Sequence, residues 1–70
     1  MDKFTADFVR EKIDEAVRQN PGVRALNISI EGKVYTYMIS YDTVERTVSG
    51  VIMRRGRKRS AINLSDILTK

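Results

Sequence analysis

Arg54-Arg55-Gly56-Arg57-Lys58-Arg59 stands where two architectures for this chain diverge. In the first, Arg54-Arg55-Gly56 is a hairpin loop with glycine third, the position of the common three-residue form that needs a left-handed backbone. The chain then returns as a fourth strand over about 58–63. That pairing sets Val48 opposite Ile62 and Ile52 opposite Lys58, and it keeps Val48, Ile52, Ile62 and Leu64 on one face. Ser65-Asp66 begins a terminal turn of helix carrying Ile67 and Leu68. In the second, Ser60 caps a longer helix on which Ala61, Leu64, Ile67 and Leu68 line one side. The shared face of the apolar residues favours the hairpin.

Working back from the stretch, a strand is expected over about 46–53, with Val48 and Ile52 inward and Gly50 between them as a bulge or close-approach point. Asp42-Thr43-Val44-Glu45 reads as a connection. Its two acids are turn chemistry rather than a metal pair. Before it, Leu26, Ile28 and Ile30 alternate with Ala25, Asn27 and Ser29, the period of a half-buried strand. A second strand rich in aromatic and β-branched residues runs over about 33–41. If Glu31-Gly32 is a two-residue loop, Ile28 faces Tyr35 and Leu26 faces Tyr37. Leu26, Ile28, Ile30, Tyr35, Tyr37 and Ile39 then share one face, and Asn27, Ser29, Val34, Thr36 and Met38 the other. One extra loop residue would invert the second strand, so the residues leave this register open.

At the start of the chain the period is 3.6. Ala6, Val9, Ile13, Ala16 and Val17 form one stripe of a helix over about 5–19, with Thr5 as N-cap and Asp7 near the positive end of the dipole. Phe4 and Phe8 lie beside the stripe, where they widen it or reach a partner. Asn20-Pro21-Gly22 ends the helix, because proline cannot continue it and restrains its predecessor. Asp7, Glu11, Asp14 and Glu15 are balanced by Arg10, Lys12 and Arg18, which makes a solvated mixed-charge face and not a metal site. The expected fold is therefore α+β: residues 1–70 as a single domain, with an N-terminal helix packed on a three- or four-stranded antiparallel meander and a short C-terminal helix.

Seventy residues enclose a thin core. The chain has no Cys and no His, so neither a disulfide nor an ordinary zinc site can staple it. Homodimerisation is the remaining common remedy and is expected here. No apolar run approaches the ~20 residues that cross a membrane, and the start, Met1-Asp2-Lys3, has no signal-peptide core. A cytoplasmic protein is the expectation. Hydrophobic residues at 41% and charged ones at 31% suit a folded domain rather than a disordered one.

The formal net charge is +4, and the basic stretch supplies all of it. Residues 1–53 hold seven Lys/Arg against eight Asp/Glu, residues 60–70 one of each, and residues 54–59 five cations without an acid. Charge concentrated in this way gains most when an anionic polymer neutralises it. Nucleophilic catalysis lacks its usual base, the four glycines are too scattered to cradle a phosphate, and no Cys/His spacing holds a metal. No enzyme activity, cofactor or metal is expected.

If the helical alternative holds, the α-β-β-β-α order resembles double-stranded-RNA-binding domains, with Lys58-Arg59-Ser60-Ala61 in the place of the segment that meets phosphates across the major groove. The likeness is one of topology over a few residues. Ile62 stands where a further lysine is expected, and the chain has no His for the loop between the first two strands of the meander. Arg55-Gly56-Arg57 also resembles the centre of an AT-hook, with Lys58 in place of the proline that follows there.

Three functions suit the stretch: nucleic-acid binding, docking on an acidic protein as an adaptor or inhibitor, and a solvated loop that blunts a sheet edge. The first is favoured, with DNA or RNA as partner and duplex preferred. Its expected contacts are Arg54, Arg55, Arg57, Lys58 and Arg59, helped by Arg46 and Lys33. Tyr35, Tyr37 and Tyr41 share a parity that would suit base stacking, but burial of their rings under the helix is the stronger reading. Tyr41, next to a turn, is the one expected to be exposed and is included among the contacts. Membrane-surface binding is not expected, because no exposed apolar helix adjoins the cluster.

Overall fold

The computed structural model describes residues 2–69; Met1 and Lys70 lie outside the described residues. Helix α1 spans Ala6–Gln19. Thr5 caps it from an extended backbone conformation, its Oγ1 accepting the Phe8 N–H at 3.1 Å. At the other end the Asn20 N–H donates to the carbonyls of Ala16 and Val17, and the Asn20 side chain donates to Ala16 at 2.9 Å. Gly22 then takes φ +82° and turns the chain toward the sheet.

The chain crosses the sheet as a meander of four antiparallel strands in sequential order: β2 (Ala25–Glu31), β3 (Thr36–Asp42), β4 (Thr47–Arg55) and β5 (Lys58–Ile62). Two further two-residue strands, β1 (Phe4–Thr5) and β6 (Leu68–Thr69), pair in parallel beside it. A 3-10 turn at Leu64–Asp66 leads into β6. The expected class and helix-on-meander arrangement are those observed, with four strands and a single short turn of helix near the C-terminus. Residues 58–62 are strand, so the helical alternative for this stretch falls, and with it the double-stranded-RNA-binding order.

Helix α1 covers one face of the sheet. Val9, Leu26, Ile28, Ile30, Tyr37, Ile39, Val51 and Ile67 are buried between them, and Tyr37, Ile39 and Ile67 have no exposed surface. Fully burying an aliphatic side chain contributes about 1.5–3 kcal/mol, so a core of eight leaves little margin against chain entropy. Ile67 and Leu68, expected on the terminal turn of helix, lie past it: the 3-10 turn ends at Asp66, Leu68 begins β6, and Ile67 turns into the core. Its carbonyl accepts the Phe4 N–H at 2.7 Å, and Lys3 Nζ donates to the Asp66 carbonyl at 2.7 Å. The two ends of the described chain are thereby laced together.

Three registers differ from expectation, each for a local reason. The β2–β3 connection has four residues, Gly32 to Tyr35, not two. It places Ile30 opposite Tyr37, Ile28 opposite Ile39 and Leu26 opposite Tyr41. The shift of four residues preserves parity, so the expected inward face survives. Asp2 holds the wider loop open: its Oδ2 accepts the N–H groups of Val34 and Tyr35 at 3.2 and 3.4 Å. Its carboxylate also lies against Gly32, where a Cβ would overlap it.

In β4 the pairing jumps from Ser40–Gly50 to Tyr41–Val48, which leaves Ser49 as the extra residue of a β-bulge. Gly50 adjoins this bulge but is not a close-approach point, since a Cβ there meets nothing within 4 Å. The extra residue reverses parity along the strand. Val51 is buried, and Ile52, expected inward, faces out at 39% exposure.

The third difference is at the basic stretch. The turn is the two-residue Gly56-Arg57 rather than Arg54-Arg55-Gly56, with Gly56 at φ +59° in the first central position, as a type II′ turn requires. The pairs become Val51–Ile62, Ile52–Ala61, Met53–Ser60, Arg54–Arg59 and Arg55–Lys58, in place of Val48–Ile62 and Ile52–Lys58.

Candidate nucleic-acid interface

A two-residue turn deals the cations of residues 54–59 to both sides of a two-stranded ribbon. Tyr37, Ile39 and Val51 mark the helix side, and alternation from Val51 puts Met53 and Arg55 there, opposite Ser60 and Lys58. Arg54 and Arg59 face each other on the open side, and Arg57 occupies the turn. Arg54 is half-buried; Arg55, Arg57, Lys58 and Arg59 are exposed. Like charges directly opposite each other on a sheet destabilise it, and this hairpin carries two such pairs in succession. The residues flanking a two-residue turn form the hydrogen-bonded pair. Arg54 and Arg59 are therefore the closer, non-hydrogen-bonded kind, with Cα atoms about 4.5 Å apart.

The remaining expected contacts do not join this cluster. Lys33 sits in the β2–β3 loop, at the same end of the sheet as the Gly56-Arg57 turn, but in a shallow pocket beside Asp2 and Glu31 that offset its charge. Arg46 closes the β3–β4 loop at the opposite end, with φ +58°. The nine residues of β4 separate it from the basic turn by about 30 Å at 3.3 Å per residue. Tyr41 is at that far end too. It is half-buried and lines a groove of about 390 Å³ between α1 and the sheet, together with Ile13, Val48, Leu64 and Leu68. Tyr37 is fully buried, as expected of a core tyrosine, and packs edge-on against Phe4 at 5.6 Å between ring centroids.

Tyr35 is the aromatic residue next to the basic turn. With Thr36 opposite Arg54, it continues the β3 line to the level of Arg55. It lines a groove of about 630 Å³ with Met53, Arg55, Gly56, Arg57, Lys58 and Ser60. Its ring rests on Tyr37 at 6.3 Å and 48°. The sequence carries a signal for this, the shared parity of Tyr35 and Tyr37, but its distance from the basic stretch depends on the bulge and the loop length.

Electrostatic perturbation lies away from the hairpin. Backbone hydrogen bonding, led by the Val34 N–H, lowers the Asp2 carboxyl below its ordinary 3.8. The Glu45 N–H, followed by that of Val44, lowers Asp42 in the same way; its Oδ1 accepts these two at 3.0 and 2.9 Å. That is the turn chemistry expected of Asp42. Burial, then the charge of Asp2, raises the Tyr37 phenol above 10.0. Among the described residues no group of three or more acids gathers to hold a metal ion, and no helix is long and apolar enough to cross a membrane. Comparison of the chain with protein-family models, with curated proteins and with solved structures gives no match.

Proposed function

We propose that the protein binds nucleic acid, duplex in preference, through the phosphate backbone on either side of the β4–β5 hairpin. The observation that carries this reading is the division of charge: Arg54 and Arg59 on one face of the ribbon, Arg55 and Lys58 on the other, Arg57 at its end. A flat acidic surface needs only one charged face. A grooved polyanion presents phosphates to both, and a two-stranded ribbon has the girth of a major groove, about 12 Å wide. In the minor groove, about 6 Å wide, the Arg57 side chain is the part that enters. Phosphate contacts of this kind position the protein and carry no sequence preference of their own.

The direct test is a side-by-side titration of duplex DNA, duplex RNA, single strands and an acidic protein against the wild type and the triple variant Arg55→Gln, Arg57→Gln, Arg59→Gln. The reading expects the duplexes to bind most tightly and the variant to lose that binding while melting no lower than the wild type, since two repulsive cross-strand pairs are relieved. Tighter binding to the acidic protein would replace it with the adaptor or inhibitor reading. Unchanged affinity in the variant would make the stretch a solvated loop.

A homodimer in the cytoplasm goes with this proposal. The small core and the two open sheet edges, β2 and β5, support assembly. Sedimentation at micromolar concentration should give twice the 8.0 kDa chain mass, and a concentration-independent monomer would remove this part.

A further inference from the structure

We infer that the groove beneath the hairpin, on its helix side, is a subsite for an unpaired nucleotide adjoining the duplex. The inference rests on the nucleic-acid reading and extends it to the kind of substrate preferred. Four of the grooves that indent the described surface differ in the charge that lines them. Asp14 lines one, Asp2 and Glu31 a second, and Glu15 a third. The fourth, lined by Tyr35, Met53, Arg55, Gly56, Arg57, Lys58 and Ser60, contains three cations and no carboxylate. Of these four it is the one fitted electrostatically to an anion.

Its floor argues for more than a bare phosphate. Tyr35 is half-buried, and its ring is backed by Tyr37, which is itself held by Phe4. A ring supported from behind loses little freedom when a base stacks on it, and stacking tolerates any base because each has a π-face. Met53 beside it is a thioether that adapts to the shape of what it meets. Arg55 and Lys58, opposite each other at the rim, are placed for the phosphate, and Ser60 adds a hydroxyl. At about 630 Å³ the groove falls within the range of small-ligand sites and accommodates one nucleotide. A paired base has both faces covered by its neighbours, so only an overhanging, bulged or single-stranded nucleotide can use Tyr35. Arg54 and Arg59, on the other face, remain available to the adjoining duplex.

The test compares a blunt DNA duplex with the same duplex carrying a three-nucleotide overhang that contains 2-aminopurine, whose fluorescence is quenched on stacking. The wild type should bind the overhang duplex roughly 5- to 150-fold more tightly, the span of one base–aromatic stack, and should quench the probe. Tyr35→Leu keeps an apolar side chain against Tyr37 but removes the stacking face. It should abolish both the preference and the quenching, while leaving blunt-duplex affinity and the melting temperature as they were. Tyr35→Phe should retain both, which separates stacking from a purely structural effect. Equal affinity for the two duplexes, or a preference that survives in Tyr35→Leu, overturns the subsite while hairpin-dependent duplex binding still stands. Absence of binding to either duplex overturns the subsite and the underlying reading together.

Discussion

Arg54 and Arg59 face each other across the β4–β5 ladder on the side of the sheet that the helix leaves uncovered, and Arg55 and Lys58 repeat the arrangement one step nearer the turn on the other side. Local consistency would put opposite charges at such positions. Violations of this kind are expected where a surface is shaped for something outside the fold. Arg59→Glu should therefore stabilise the folded protein by a few tenths to about 1 kcal/mol, by exchanging a repulsive cross-strand pair for an attractive one. The same change should weaken binding to nucleic acid. Urea unfolding beside a binding titration checks both signs, and a destabilised variant would mean that the pair is not strained.

The core is narrow enough for single truncations to dominate stability. Tyr37→Ala should cost about 3–5 kcal/mol, the range for removing a large buried ring, and Ile67→Ala about 2–5. Either loss consumes much of what a small domain has to spare, so both proteins should be partly unfolded at room temperature. Circular dichroism with urea titration measures the loss. A wild-type midpoint for Ile67→Ala would show that the C-terminal segment is not anchored in the core.

The bulge at Ser49 makes opposite predictions for adjacent residues. Ile52→Thr, on the open face, should change stability by less than about 0.5 kcal/mol. Val51→Thr, which brings a hydroxyl into the core, should cost roughly 1–3 kcal/mol. Reversed sensitivities would restore the unbulged strand.

What was legible in the residues was whatever obeyed one uninterrupted period. The stripe of Val9, Ile13, Ala16 and Val17 marks the helix, and Leu26, Ile28 and Ile30 mark an edge strand whose inward face survives a register shift of four. The rest turned on single-residue offsets fixed by distant contacts. The β2–β3 loop has its length because Asp2, thirty residues earlier, accepts its N–H groups, and nothing local to Glu31-Gly32 announces that. Ser49 displaces the parity of β4, which moves Ile52 outward and brings Val51 in. The composition of the basic stretch identified it as the candidate site, yet the turn within it decides which cations share a face. With the turn at Gly56-Arg57 the charges divide between the two faces, and Tyr35 rather than Tyr41 becomes their aromatic neighbour.

Acid should loosen the molecule at two turns. Asp2 and Asp42 have carboxyls lowered by backbone N–H donors. A folded value below the unfolded one contributes stability that is fully present above the ordinary value of 3.8 and is lost as pH falls through the folded value. Asp2→Asn and Asp42→Asn should each melt below wild type at neutral pH, and the difference should shrink as pH falls past the carboxylate range. Gly32→Ala should imitate Asp2→Asn by displacing the carboxylate from its loop. A difference in melting temperature that is independent of pH would assign the effect to packing.

The most direct measurement of the central claim is the salt dependence of duplex binding. Three to five of the hairpin's cations reaching phosphates predict a slope of log affinity against log salt of about −3 to −4.5, at 0.9 per phosphate. Between about 50 and 200 mM salt the affinity should then fall by roughly two to nearly three decades. Replacing Arg55, Arg57 and Arg59 by glutamine should flatten the slope by about 2–3, in proportion to the contacts removed. A wild-type slope near zero, or a triple variant that keeps the wild-type slope and affinity, would contradict the assignment of the β4–β5 hairpin as the element that meets the phosphate backbone.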